Sequence, residues 1–180
     1  MSRIDESMEF VPVRIAVLTV SDSRSLDEDK SGKVLVDRIS AAGHILADRK
    51  IVQDERALIS DQLRAWIADA SVDVVLTTGG TGLTGRDVTV EAHRDVYEKE
   101  IEAFGTVFTI VSMQKIGTSA VQSRATGGVA GGTYLFALPG SPGACKDAWD
   151  EILRLQLDYR HRPCNFVEIM PRLDEHKRRK

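Results

Sequence analysis

No run of apolar residues in this 180-residue chain approaches the ~20 needed to cross a membrane. The opening residues MSRIDESMEF carry acids and no apolar h-region, so no secretory leader is expected either. Cysteine is scarce. Cys145 and Cys164 are too few for a disulfide framework in a chain of this length and form no C-x-x-C pair, so both are expected as reduced thiols in a cytoplasmic protein. Excess positive charge is missing too: 24 Lys and Arg against 27 Asp and Glu leave a net charge of −3, no footprint for nucleic acid. His161-x-x-Cys164 has no second pair at ligand spacing, which argues against zinc, and GSPG lacks the spacing of a serine-hydrolase elbow. No repeat, low-complexity segment or linker divides the chain. Nucleic acid and membrane are therefore excluded as expected partners.

What is present fits one α/β domain over residues 1–180, with a core from about 13 to 166 and frayed termini. A domain of this size buries roughly 70% of the surface of its unfolded chain, enough for a full core. RIAVLTV (14–20) and VDVVLTT (72–78) are β-branched runs of the kind that fill strands buried on both faces of a parallel sheet. Between them a strand is expected near His44 to Val52. A helix capped by Ser31 is expected to run to about Ala42, and a second carries Ile59, Leu63 and Trp66. Crossovers of that length imply a three-layer α/β/α architecture. Val88 to about Ala103 reads as helix. FGTVFTIVSMQKIG mixes β-branched residues with a helical period and is assigned to helix. Gly131-Gly132 between two apolar segments signals a tight hairpin, and hence one antiparallel strand in a mostly parallel sheet. Ser141 and Pro142 open a closing helix with Trp149, Ile152, Leu153 and Leu157 on one face.

In open parallel sheets ligands bind beyond the carboxyl ends of the strands, which points to four loops: VSDSRS, VQDERA, TTGGTGLTGRDVT and LPGSPG. The third is the richest. Gly80 to Gly85 matches G-x-G-x-x-G, but it follows a late strand, and the acids some 20 residues on fall in a helical pattern rather than at a strand end. A Walker A reading fails because Arg86 and Asp87 stand where lysine and a hydroxyl are needed. What survives is a loop whose backbone N–H groups can approach an anion closely. Thr77, Thr78 and Thr81 can add hydroxyls, and Arg86 can pair with phosphate. Asp87 beside an anion loop suggests Mg²⁺, since a carboxylate repels phosphate unless a cation lies between them. Asp87 and Asp54 can instead be read as simple helix caps, and LPGSPG as a capped turn.

Taken together and in order, LTVSDSR, VQDERALI, TTGGTGLTGRDVTVEA and LPGSPGA resemble the MoaB/MogA family of molybdenum cofactor biosynthesis proteins, from about Val13 to Phe166. The late RPCNF is most similar to the protein B branch. The resemblance implies a homo-oligomer, trimer or hexamer, that binds molybdopterin and adenylylates it with Mg-ATP, releasing pyrophosphate. A non-catalytic pterin or nucleotide carrier, or a regulatory paralogue in the same pathway, is the alternative. By motif, Asp54 and Asp87 match the family's two functional aspartates and become the expected catalytic and Mg²⁺-holding groups. Gly79, Gly80, Thr81 and Gly82 are expected to cradle phosphate with Thr78 and Arg86. Ser21 and Asp22 would line the pocket, and Gly140 and Ser141 would donate to the pterin or its phosphate. The chain departs from the pattern at Val90 and Gln53, where proline is usual, and at Ser141, where asparagine is common.

Overall fold

A computed structural model describes residues 3–178. In chain order its strands are β1 (Arg3–Ile4), β2 (Arg14–Val20), β3 (Ile45–Val52), β4 (Val74–Thr78), β5 (Lys99–Glu100), β6 (Thr126–Ala130), β7 (Thr133–Leu138) and β8 (His161–Arg162). Six of them form one sheet in the order β3-β2-β4-β7-β6-β5, while β1 and β8 pair separately. β2 lies parallel to β3 and β4, and β4 parallel to β7. β6 is antiparallel to both of its neighbours, the one reversed strand expected from the hairpin. Gly131 and Gly132 turn that hairpin at φ 59° and 91°, values that a two-residue turn of this hand demands and that side chains resist.

The main helices are α1 (Lys30–Ala41), α2 (Arg56–Ile67), α3 (Thr89–Arg94), α4 (Glu102–Ile116) and α5 (Pro142–Ala148). Strand alternation sorts the core into two layers. Ile15 and Val17 of β2, Val74 and Leu76 of β4, and Phe136 of β7 pack beneath α1, α4 and α5 against Leu35, Phe108 and Trp149. Ala16, Leu18, Val75 and Leu135 face the other way, against Ile59, Leu63 and Trp66 of α2 and Ala92 of α3. The closing helix continues past α5 to Gln156, with Trp149–Leu153 wound as a π-helix. Among the described residues no helix is long and apolar enough to cross a membrane.

Two local expectations are corrected. Asp29, not Ser31, caps α1: its carboxylate accepts the Gly32 N–H at 2.9 Å, the Thr19 hydroxyl at 2.6 Å and the Arg49 guanidinium at 3.0 Å. A buried carboxylate with a cation beside it satisfies the helix terminus better than a neutral hydroxyl, which frees Ser31 for another partner. The helix expected over 88–103 is two helices with β5 between them. Glu98 N–H donates to Val129 O at 2.8 Å and Ile101 N–H to Gly127 O at 2.7 Å, so pairing with β6 overrides helical periodicity. Near the C-terminus lie short helical turns at Met170–Arg172 and Glu175–Arg178, and Lys177 pairs with Glu98. The end of the chain, residues 179–180, lies outside the described residues.

Candidate functional site

From β2 the chain moves outward to β3 and then crosses back to β4 on the opposite side of β2, so strand order reverses between β2 and β4. This is where an open parallel sheet offers a crevice. Hydrogen bonds tie the four loops together there. Ser21 N–H donates to Val52 O at 2.9 Å, and Asp54 N–H donates to the Asp22 carboxylate at 3.1 Å. Gly79 N–H donates to Leu138 O at 3.1 Å, and the Ser31 hydroxyl to Gly140 O at 2.7 Å.

The loop after β4 needs glycine at Gly79 and Gly80, both at positive φ. At Gly79 (φ 101°) a Cβ would lie 2.3 Å from the Val20 carbonyl oxygen, an impossible approach to backbone. Gly140 packs directly on Gly79, its Cβ position 3.2 Å from the Gly79 Cα, so the β4 and β7 loops touch through two residues without side chains. Arg124, just before β6, holds the loop from behind. Its guanidinium donates to the carbonyls of Thr81 (2.9 Å), Gly82 (3.0 Å) and Asp87 (3.2 Å) and forms an ion pair with Glu91. With the carbonyls drawn to one side, the segment between them is fixed in shape by a single side chain.

Acidic groups surround this loop. Asp87 accepts from the Thr84 N–H at 2.8 Å and hydroxyl at 2.7 Å, and the Thr84 hydroxyl, followed by backbone N–H groups, holds its carboxyl below the usual range despite partial burial. Asp54 is half-buried, and its carboxylate accepts no hydrogen bond among the described residues. Burial first, then the charges of Asp22 and Asp87, push its pKa up, while Arg86 pulls it down. Neither aspartate is a helix cap, because Glu55 and Val88 occupy those positions without side-chain bonds. Among the described residues no three His, Cys, Asp or Glu side chains converge as a ready metal cage. Asp54 and Asp87 are hard oxygen donors, the kind of side chain that Mg²⁺ takes one or two of alongside phosphate oxygens.

Several expected site residues already hold partners within the protein. Thr78 is fully buried, its hydroxyl donating to Pro139 O at 2.9 Å and 3.1 Å from the Cys145 sulfur, so it faces the core. Burial pushes the Cys145 thiol up to about 11, which leaves it protonated and poorly nucleophilic. Ser141 is exposed and caps α5 by accepting the Ala144 N–H at 3.1 Å. The Ser21 hydroxyl accepts the Arg24 N–H at 3.2 Å within its own loop. Arg86 is held by Asp22, in two bonds of 2.9 and 2.8 Å, and by Glu55 at 3.0 Å. His161 turns Nδ1 to Cys164 O at 3.0 Å, a loop contact rather than half a metal site. Arg124 and Thr89 were not among the expected site residues. Thr89 lies within GRDVT and is visible as part of that motif. Arg124 lies nearly 40 residues beyond the loop it clamps, and no local pattern marks it.

A cavity of about 400 Å³ opens beside these loops, lined by Ser23, Arg24, Glu28, Lys30, Ser31 and Pro142. A larger cleft of about 530 Å³ around Phe10, His44 and Trp149 lies apart from the four loops.

The chain is similar to known proteins along most of its length. Residues 16–159 match the family model of a probable molybdopterin binding domain. The chain is 51% identical over 160 residues to molybdenum cofactor biosynthesis protein B of Escherichia coli (strain K12), covering 89% of this chain and 94% of that one. A crystal structure of a molybdenum cofactor biosynthesis protein B superposes with TM-score 0.83 at 37% identity, covering 92% and 98% of the two chains. The tungsten cofactor synthesizing protein MoaB from Pyrococcus furiosus superposes with TM-score 0.74 at 32% identity, covering 90% and 97%.

Proposed function

The chain belongs to the MoaB/MogA family of molybdenum cofactor biosynthesis proteins, and from that premise we propose that it adenylylates molybdopterin with Mg-ATP in the cytoplasm. An oxygen of the molybdopterin phosphate attacks the α-phosphorus of ATP. The bond from that phosphorus to the bridging oxygen breaks, and pyrophosphate leaves. The observation that carries this reading is the convergence of Asp54, Asp87 and the Gly79–Gly82 loop at the reversal of strand order.

Joining two anions requires neutralised charge and alignment more than a covalent nucleophile. Asp54 and Asp87 are the groups that would hold Mg²⁺, which when bound neutralises phosphate charge and polarises the phosphoryl group. Asp54 fits that task because its carboxylate has no hydrogen-bond partner and acidic neighbours disfavour its charge. The Gly80–Gly82 backbone receives phosphate in a shape set by Arg124. Arg24 and Lys30 stand at the neighbouring cavity, where they favour the departing pyrophosphate. Arg86, shared between Asp22 and Glu55, exchanges a carboxylate for a phosphate oxygen as ligand enters.

The reading includes a homo-oligomer, trimer or hexamer. α4 is apolar on both sides, and Val107, Ile110, Met113 and Ile116 remain exposed along it beside Val121. One observation favours the carrier alternative: Thr84 already occupies the Asp87 carboxylate, a turn-forming role that requires no turnover. Pyrophosphate release from Mg-ATP, with and without molybdopterin, separates the two. Adenylylation requires pterin-dependent release that Asp54→Asn reduces at least a hundredfold while molybdopterin still binds. A carrier binds molybdopterin and releases no pyrophosphate.

A further inference from the structure

Thr89 opens α3, and its hydroxyl stands out among the buried polar groups. The residue is 0% exposed, and Oγ1 has no hydrogen-bond partner among the described residues. Its N–H is committed, donating to Gly80 O at 2.9 Å, so the backbone fixes where the side chain stands. Buried donors are almost always paired, and an orphan beside a ligand loop calls for a partner that arrives during function.

That partner is in view. The position a Cβ would take on Gly80 lies 2.4 Å from Thr89 Oγ1 and 2.6 Å from Asp54 Oδ1. The two oxygens therefore face one another across Gly80, within about 5 Å, and only the absence of a side chain there leaves the gap open. Asp54 also lacks a hydrogen-bond donor, and its neighbours Asp22 and Asp87 are of like charge. A shift of the Asp54 carboxylate across this gap closes a hydrogen bond that neither group has now. Solvent does not reach Oγ1, so the bond is made by movement of Asp54 rather than by a ligand atom inserted at Thr89.

We infer that Thr89 is a positioning residue for Asp54: its hydroxyl donates to one Asp54 oxygen once the loops carry ligand and charge repulsion in the cluster is relieved, directing the other oxygen to that ligand. The inference rests on the functional reading above. It gives Thr89 an unusual signature, because the hydroxyl costs stability in the free protein and contributes only when the site is loaded.

The test compares the full-length wild type with Thr89→Val, which keeps the shape and removes the hydroxyl, and Thr89→Ser, which keeps the hydroxyl. The expected Tm of Thr89→Val is unchanged or raised by about 2–4 °C, since an unpaired buried donor is lost. Its kcat for pterin-dependent pyrophosphate release falls about ten- to hundredfold, the effect of losing a hydrogen bond to a charged group, with little change in KM for molybdopterin. Thr89→Ser returns to within about threefold of wild type, measured against the same bond. A clear fall in Tm for Thr89→Val, or wild-type kcat in that variant, overturns the inference while leaving the reaction intact. If the wild type binds molybdopterin without turnover, the Kd for molybdopterin in the presence of Mg-ATP replaces kcat: weakening in Thr89→Val supports the inference and equality overturns it. A wild type that neither binds molybdopterin nor turns over removes the functional reading and this inference together.

Discussion

Arg124 shows how much of the site rests on one side chain. It bonds to three carbonyls of the glycine loop and to Glu91, and it is partly buried, so its loss leaves several acceptors poorly served. Arg124→Gln is expected to lower stability by about 2–3 kcal/mol in urea unfolding, and to cut turnover more than Arg124→Lys does, because the planar fork reaches acceptors an ammonium cannot. Asp29 is the corresponding residue for the first helix. Burial raises its pKa, but bonds from Thr19, Gly32 and Arg49 outweigh that and hold the carboxylate ionised. Asp29→Ala strands the Arg49 charge and an uncapped helix, and is expected to cost about 3–5 kcal/mol, read from the urea midpoint. His93 makes the fold acid-sensitive. It is fully buried between Thr77 and Tyr97, and burial drops its pKa from the ordinary 6.5 to about 3. The unfolded chain takes up a proton below about 6.5 and the folded chain does not, so stability is full above that pH and falls towards about pH 3, by up to ~1.4 kcal/mol per unit. Urea midpoints of wild type and His93→Gln across that range check this: the variant's slope should be shallower.

Elements explain which expectations held. β2, β4 and β7 were legible because strands buried on both faces leave continuous apolar runs, and the Gly131-Gly132 hairpin because few residues accept positive φ twice in succession. The segment 88–103 was not, since its break depends on a distant partner. Tyr97 lies over Gly128, where a Cβ would come within 2.4 Å of the ring, and its hydroxyl meets His93 at 3.1 Å. That contact needs a glycine some 30 residues away, which periodicity cannot register. Gly128→Ala is expected to displace Tyr97 and lower the Tm by about 2–12 °C, an overpacking cost of roughly 1–3 kcal/mol, visible in calorimetry. For the site, the loops and their acids were legible as motifs, whereas the burial of Thr78 and the engagement of Arg86 by Asp22 and Glu55 follow from packing between loops.

At the scale of the whole molecule, the topology brings four loops separated by as many as 120 residues to one end of the sheet. The opposite side of α4 is left apolar and uncovered in the single chain. Sedimentation at micromolar concentration is expected to show a trimer or hexamer, and Ile110→Glu to shift it towards monomer, because a buried unpaired charge opposes association. Of the departures from the family pattern, Ser141 caps α5. Val90 is a core residue, and Gln53 is exposed.

The proposed reaction transfers an adenylyl group from ATP to the molybdopterin phosphate. Incubation of the wild-type protein with molybdopterin, Mg²⁺ and ATP labelled at the α-phosphate tests it most directly. The expected result is label joined to the pterin phosphate, with one pyrophosphate released for each adenylyl group transferred. Recovery of all the label as ATP, with molybdopterin bound but unchanged, would contradict it and make the chain a carrier.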